Sequence, residues 1–151
     1  MRFAPTRNNE IWVTDFIIRD DSQRTKILIV LDVFTRLPVV LTILDSKAGI
    51  AGQLVTHLDE TCRELRYPET LWVDAGFEFG SEKLTEWAGQ RVIILYGNET
   101  PQKRSMAEPF LRRLSQFLRE KNSSAPGDLK RDLAEWRQLE ERRLRDNVSA
   151  D

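Results

Sequence analysis

Sulfur and imidazole chemistry have almost nothing to work with in this sequence of 151 residues, which holds one cysteine, Cys62, and one histidine, His57. A single cysteine excludes an intrachain disulfide framework, and neither residue has a partner nearby to complete a zinc site. Cys62 falls on an apolar helical stripe and reads as core. His57 lies beside that stripe and reads as surface. No run of about 18 apolar residues could span a bilayer, and no basic-then-apolar leader opens the chain. Glycine is sparse, at seven residues, and no glycine-rich phosphate loop follows the first strand-like run, which argues against a doubly wound nucleotide fold. A Gly-x-Ser-x-Gly elbow, the mark of a serine hydrolase, is also missing.

What is present fits one domain with a real core: 40% of residues are apolar and 31% charged, ordinary globular usage. The net charge of −1 conceals an uneven distribution. From Pro101 to Lys121 there are six basic residues (Lys103, Arg104, Arg112, Arg113, Arg119, Lys121) against two acids, Glu108 and Glu120, whereas the first hundred residues hold 11 basic and 15 acidic residues. A basic stretch on an acidic body can follow a phosphate backbone, and it can equally be a solvated helix face.

Three strand-like runs come first, at 9–19, 25–34 and 37–44, joined by connections short enough to require antiparallel neighbours. Asp45–Ser46 offers an N-cap for a helix on which Ile50, Leu54, Leu58, Cys62 and Leu65 recur at spacings of four and three. A short buried strand at 70–74, a brief helix opened by Ser81, and a strand at 91–96 follow. A loop at 97–103 leads to a helix at 110–118, with Pro109 as its first residue. The stretch 122–127 reads as a linker and 128–151 as a C-terminal helix and tail. The expected fold class is α/β: a mixed five-stranded sheet, three antiparallel strands then βα units, with flanking helices.

Within this frame Asp15 is anomalous. Alternation puts Thr14, Phe16 and Ile18 on one face of the first strand and Val13, Asp15 and Ile17 on the other, so both faces are largely apolar. A carboxylate there is costly to bury unless paired, hydrogen-bonded or bound to a cation. Asp74 ends the fourth strand, where open sheets keep their sites, and Glu108 stands at the start of the helix after the fifth. If the first and fourth strands are neighbours, these carboxylates share one crevice. Three acids in one place repel one another, and oxygen-only ligands suit Mg²⁺ or Mn²⁺. Each has a plainer reading as well: a solvent-facing strand residue for Asp15, a turn cap for Asp74, and for Glu108 the capping box Ser105-Met-Ala-Glu108.

The segments "IWVTDF", "LIVLDVFTR", "LWVDAGFEFGS" and "TPQKRSMAEPFLRRL" resemble the catalytic core of the DDE recombinases, the retroviral integrases and related transposases. Trp12 precedes the first acid by three residues, and "LDVFTR" resembles the family's Asp-x-x-Ser/Thr-Arg signature. "DAGFEF" resembles Asp-Asn-Gly-x-Glu-Phe, and 33 residues separate Asp74 from Glu108. The resemblance runs from about Trp12 to Leu118. It implies an RNase H-like fold for residues 1–121 and an Asp15, Asp74, Glu108 triad holding two Mg²⁺ or Mn²⁺ ions. The implied reaction is 3′-end hydrolysis and strand transfer on DNA. DNA is then the expected partner, contacted by Lys103, Arg104, Arg112 and Arg113, with Glu78 beside the metal site. A homodimer or higher assembly, a cytoplasmic bacterial or phage setting, and further N- and C-terminal recombinase domains are the accompanying expectations. Asp32, within "LDVFTR", reads as a turn cap.

The sequence departs from the family pattern in three places. Ala75 stands where asparagine is usual, the loop before Glu108 lacks its glycine, and Pro109 follows the glutamate. These departures keep two other readings open: an RNase H-like module that has lost its chemistry and serves DNA binding or assembly, and a simple metal-dependent nuclease.

Overall fold

The computed structural model describes residues 5–19, 24–73, 82–96, 101–122 and 126–150. Its β-branched and aromatic N-terminal runs form β1 (Ile11–Ile18), β2 (Lys26–Asp32) and β3 (Pro38–Ile43). Helix α1 (Ile50–Glu64) follows, then β4 (Thr70–Trp72), α2 (Glu82–Gln90), β5 (Ile94–Tyr96), α3 (Pro101–Lys121) and α4 (Pro126–Ala150). The strands make one sheet of order β3-β2-β1-β4-β5. β1 is antiparallel to β2 and parallel to β4, so the first strand lies at the centre with the crossover strand beside it.

Side-chain alternation divides the sheet between two apolar layers. On one face Trp12, Leu28, Val30 and Leu71 pack with Leu54 and Leu58 of α1 and with Leu84 and Trp87 of α2. On the other, Ile27, Ile29 and Leu31 pack with Phe110, Leu114 and Leu118 of α3 and with Leu129, Leu133 and Trp136 of α4. The C-terminal helix therefore folds back onto the sheet and α3. Phe110 and Trp136 meet edge to face, with centroids 4.7 Å apart, a favoured aromatic geometry.

Three boundaries differ from the sequence expectation. α1 begins at Ile50 with Gly49 at its cap and no side-chain cap hydrogen bond. Asp45 instead makes a local turn, accepting the Lys47 N–H at 2.9 Å. Gln53 reaches back from the helix to Asp45, accepting its N–H at 2.7 Å and donating to its carbonyl at 2.8 Å. These bonds hold the chain out of helical conformation until Gly49.

α3 opens on Pro101 and continues through Pro109. Proline suits the first helical position because the amide it lacks would be unpartnered there, and Pro101 takes that role. Pro109 lies inside the helix, unable to donate to the carbonyl of Ser105. α4 likewise opens on a proline, Pro126, inside the stretch expected as linker.

Candidate active site

Asp15 sits on the α3 side of β1, opposite Ile29 of β2, and is half-buried. Two residues back on the same face, Val13 packs with Trp72 of β4 and Ala107 of α3. Two residues on, Ile17 packs against the layer formed with α3 and α4. Asp15 Oδ1 accepts the backbone N–H of Phe16 at 2.8 Å. A carboxylate thus stands in an apolar row, on the strand at the centre of the sheet.

The parallel register places Ile11 opposite Thr70, Trp12 opposite Leu71 and Val13 opposite Trp72. β4 therefore runs beside β1 in the direction that leads to Asp74. Asp74, Ala75 and Glu78, with Ser81, lie outside the described residues.

Glu108 follows Ala107, the residue of α3 that touches Val13 and Trp72. The helix thus places Glu108 one residue beyond its contact with β1 and β4. Its side chain is exposed, and Oε1 accepts from Arg112 Nη2 at 3.0 Å, one turn further along. The capping box is overturned, because Ser105 lies within a helix that starts at Pro101. Among the described residues no group of three or more His, Cys, Asp or Glu side chains could hold a metal.

Lys103 and Arg104, expected in a loop, belong to the first turn of α3. Arg113 forms an ion pair with Glu140 of α4, an acid whose side chain is only 5% exposed. Arg143 donates to the same carboxylate at 2.8 Å. Burial by itself would raise the pKa of Glu140, but hydrogen bonds from Arg143 and Arg113 hold it below the ordinary carboxylate range.

Asp32, buried at 2% exposure, holds the β2–β3 turn together. Its Oδ1 accepts from the N–H groups of Phe34 at 2.9 Å and Thr35 at 3.4 Å, and its Oδ2 from Asn9 at 2.8 Å. Cys62 is core, its thiol pushed up to about 12 by burial and by nearby Asp59. His57 is half-buried on α1, 3.9 Å from Glu60. Sequence reasoning missed Glu140, although the signal existed: it continues the buried series Leu129, Leu133, Trp136 at helical spacing. Leu139, the residue before it, is exposed.

No protein-family model matches the chain. An insertion-element IS407 uncharacterised 31.7 kDa protein of Burkholderia multivorans is 34% identical over 94 residues, covering 60% of this chain and 33% of that protein. The catalytic core domain of BIV integrase superposes with a TM-score of 0.62 at 15% identity, covering 78% of this chain and 76% of that one. The HTLV-2 integrase catalytic core domain, crystallised with magnesium in a trimeric form, gives 0.61 at 14% identity over 86% of each chain. The chain has the integrase catalytic-core fold. It is α/β and RNase H-like, related in sequence to an insertion-element protein of which it spans about a third. Within that fold, Val13 of β1, Trp72 of β4 and Ala107 of α3 form one buried cluster. Among the described residues, no helix is long and apolar enough to cross a membrane.

Proposed function

We propose that this chain is the catalytic core of a DDE-type transposase or integrase, performing divalent-metal-dependent 3′-end hydrolysis and strand transfer on DNA. The observation that carries the reading is the contact of Val13, Trp72 and Ala107. Each of these residues is one or two positions from a member of the triad Asp15, Asp74 and Glu108. The pairing of Val13 with Trp72, continued two residues in the same phase, would set Asp74 beside Asp15 on the α3 face.

The donor set suits a hard cation, since it is all oxygen. Asp15 and Asp74 would hold one Mg²⁺ or Mn²⁺, and Asp15 with Glu108 a second. When bound, such ions lower the pKa of an attacking oxygen and offset charge on the leaving one. The chain's own part is to fix the carboxylates on rigid elements and to keep Glu108 on a helix packed by Ala107. Glu108 would exchange Arg112 for the cation, at low cost because an exposed i, i+4 pair contributes only about 0.3–0.5 kcal/mol. Lys103, Arg104, Arg112 and Arg113 would then follow the DNA backbone along α3. Assembly as a dimer or higher multimer belongs to the same reading, since the transfer of two DNA ends needs two sites.

The test is Mn²⁺ titration calorimetry on the wild type, Asp15→Asn, Asp74→Asn and Glu108→Gln, with and without branched DNA, alongside a disintegration assay. Saturable binding that both aspartate variants abolish, with DNA rejoining lost in all three, is the expected result. One observation favours a second reading, a module retained for DNA binding or assembly: Glu108 engages Arg112. Absence of metal binding and of rejoining even with branched DNA present would establish that reading instead.

A further inference from the structure

On the α3 face of the sheet, a cleft of about 370 Å³ opens between the end of β2, the β2–β3 turn, α3 and the C-terminal half of α4. Its lining combines apolar Leu31 and Phe110 with three arginines, Arg36, Arg113 and Arg143, and Ser105. Among the described residues, Glu140 is the acid paired with this group. It takes Arg113 through Nη2 and Arg143 through Nε and Nη2, leaving further N–H donors on each. Arg36 makes no ion pair with any described residue.

The backbone of Arg36 adds an independent argument. Its φ is 63°, in the left-handed region, where glycine would be cheaper than any residue with a Cβ. Its N–H closes the turn by donating to the Asp32 carbonyl at 2.8 Å. The turn would form more readily with glycine, so arginine here carries a conformational cost, and it lines the cleft together with Arg113 and Arg143.

We infer that this cleft is a phosphate-binding site, built from Arg36, Arg113 and Arg143. Glu140 acts as its positioning residue: by taking one edge of Arg113 and Arg143 it fixes two planar forks, so that less side-chain freedom is lost when an anion enters. The phosphate is that of a DNA backbone, in which case the inference rests on the function proposed above, or it is a free phosphate.

The experiment is titration of the full 151-residue chain with inorganic phosphate, followed by the NMR signals of the arginine side chains, and with a short DNA duplex across a salt series. The variants are Arg36→Gly, Arg143→Gln and Arg36→Lys. Arg36→Gly suits the left-handed turn and so leaves the fold intact. It should weaken the affected ligand about tenfold, the effect of losing one charge-assisted contact. If the ligand is DNA, the slope of log K against log salt should also fall by about one. Arg36→Lys should recover part of the loss. An effect on the duplex alone assigns the site to DNA, and an effect on inorganic phosphate alone assigns it to a free phosphate. Unchanged affinity for both ligands in Arg36→Gly and Arg143→Gln overturns the inference. None of these readouts requires metal or strand transfer, so failure of the catalytic reading and failure of this site remain distinguishable.

Discussion

The two faces of the sheet solve different problems with the same strands. Toward α1 and α2, β1 presents Trp12, Thr14 and Phe16, and the layer above them is almost wholly apolar. Toward α3 and α4, β1 presents Val13, Asp15 and Ile17. There the apolar layer gives way at its end to Asp15, Glu108 and the Arg113–Glu140–Arg143 group. The first face is held by area removed from water, which favours any well-packed arrangement. The second carries charges whose positions must be specified by partners. Chemistry is expected on the face where burial is incomplete.

Emptying the apolar face should give the largest change. Trp12→Ala, at a side chain with no exposure, should cost about 3–5 kcal/mol in urea unfolding. Glu140→Gln on the opposite face should cost less, about 1–3 kcal/mol, because both of its arginines keep partial contact with water. The folded-state pKa of Glu140 lies below its unfolded value, so this stabilisation is complete above the ordinary carboxylate range and is lost as pH falls through it. Unfolding at neutral and acid pH should therefore show the two proteins converging in acid. A constant difference would mean that the pair is not ionic in effect.

Thr14→Val should move stability the other way. The Thr14 hydroxyl is buried without a hydrogen-bond partner among the described residues, and its removal should add about 1 kcal/mol. Asp15→Asn should abolish activity while changing metal-free stability by less than about 0.5 kcal/mol, since an amide oxygen can still accept the Phe16 N–H. A large loss would make Asp15 structural and remove the contrast between the faces. Cys62 should resist alkylation at pH 8 in the folded protein, its thiol being held protonated up to about 12. Rapid labelling would mean that the α1 layer opens.

Periodicity alone located most of the apolar face: Leu54, Leu58 and Cys62 recur along α1 at helical spacing, and each is buried. The order of the first three strands was legible for a similar reason, since short connections force antiparallel neighbours. Helix starts were not, because three prolines competed for the first helical position and only folding determined that Pro101 and Pro126 occupy it while Pro109 lies inside. Asp15 was conspicuous because a charge in a two-sided apolar strand needs a reason.

The sequence by itself determined which segments become strands and helices, which residues face inward, and which acids stand out of place. These depend on spacing along the chain and on local chemistry. Tertiary structure decided that β4 pairs with β1, so that Val13 meets Trp72, and that α4 returns so that Glu140, with Arg143 three residues on in the same helix, meets Arg113 of α3. It also gathered Arg36 with those two arginines. Those contacts join residues tens to about a hundred positions apart. No local rule encodes them, because they come into being only when the layers close over the sheet.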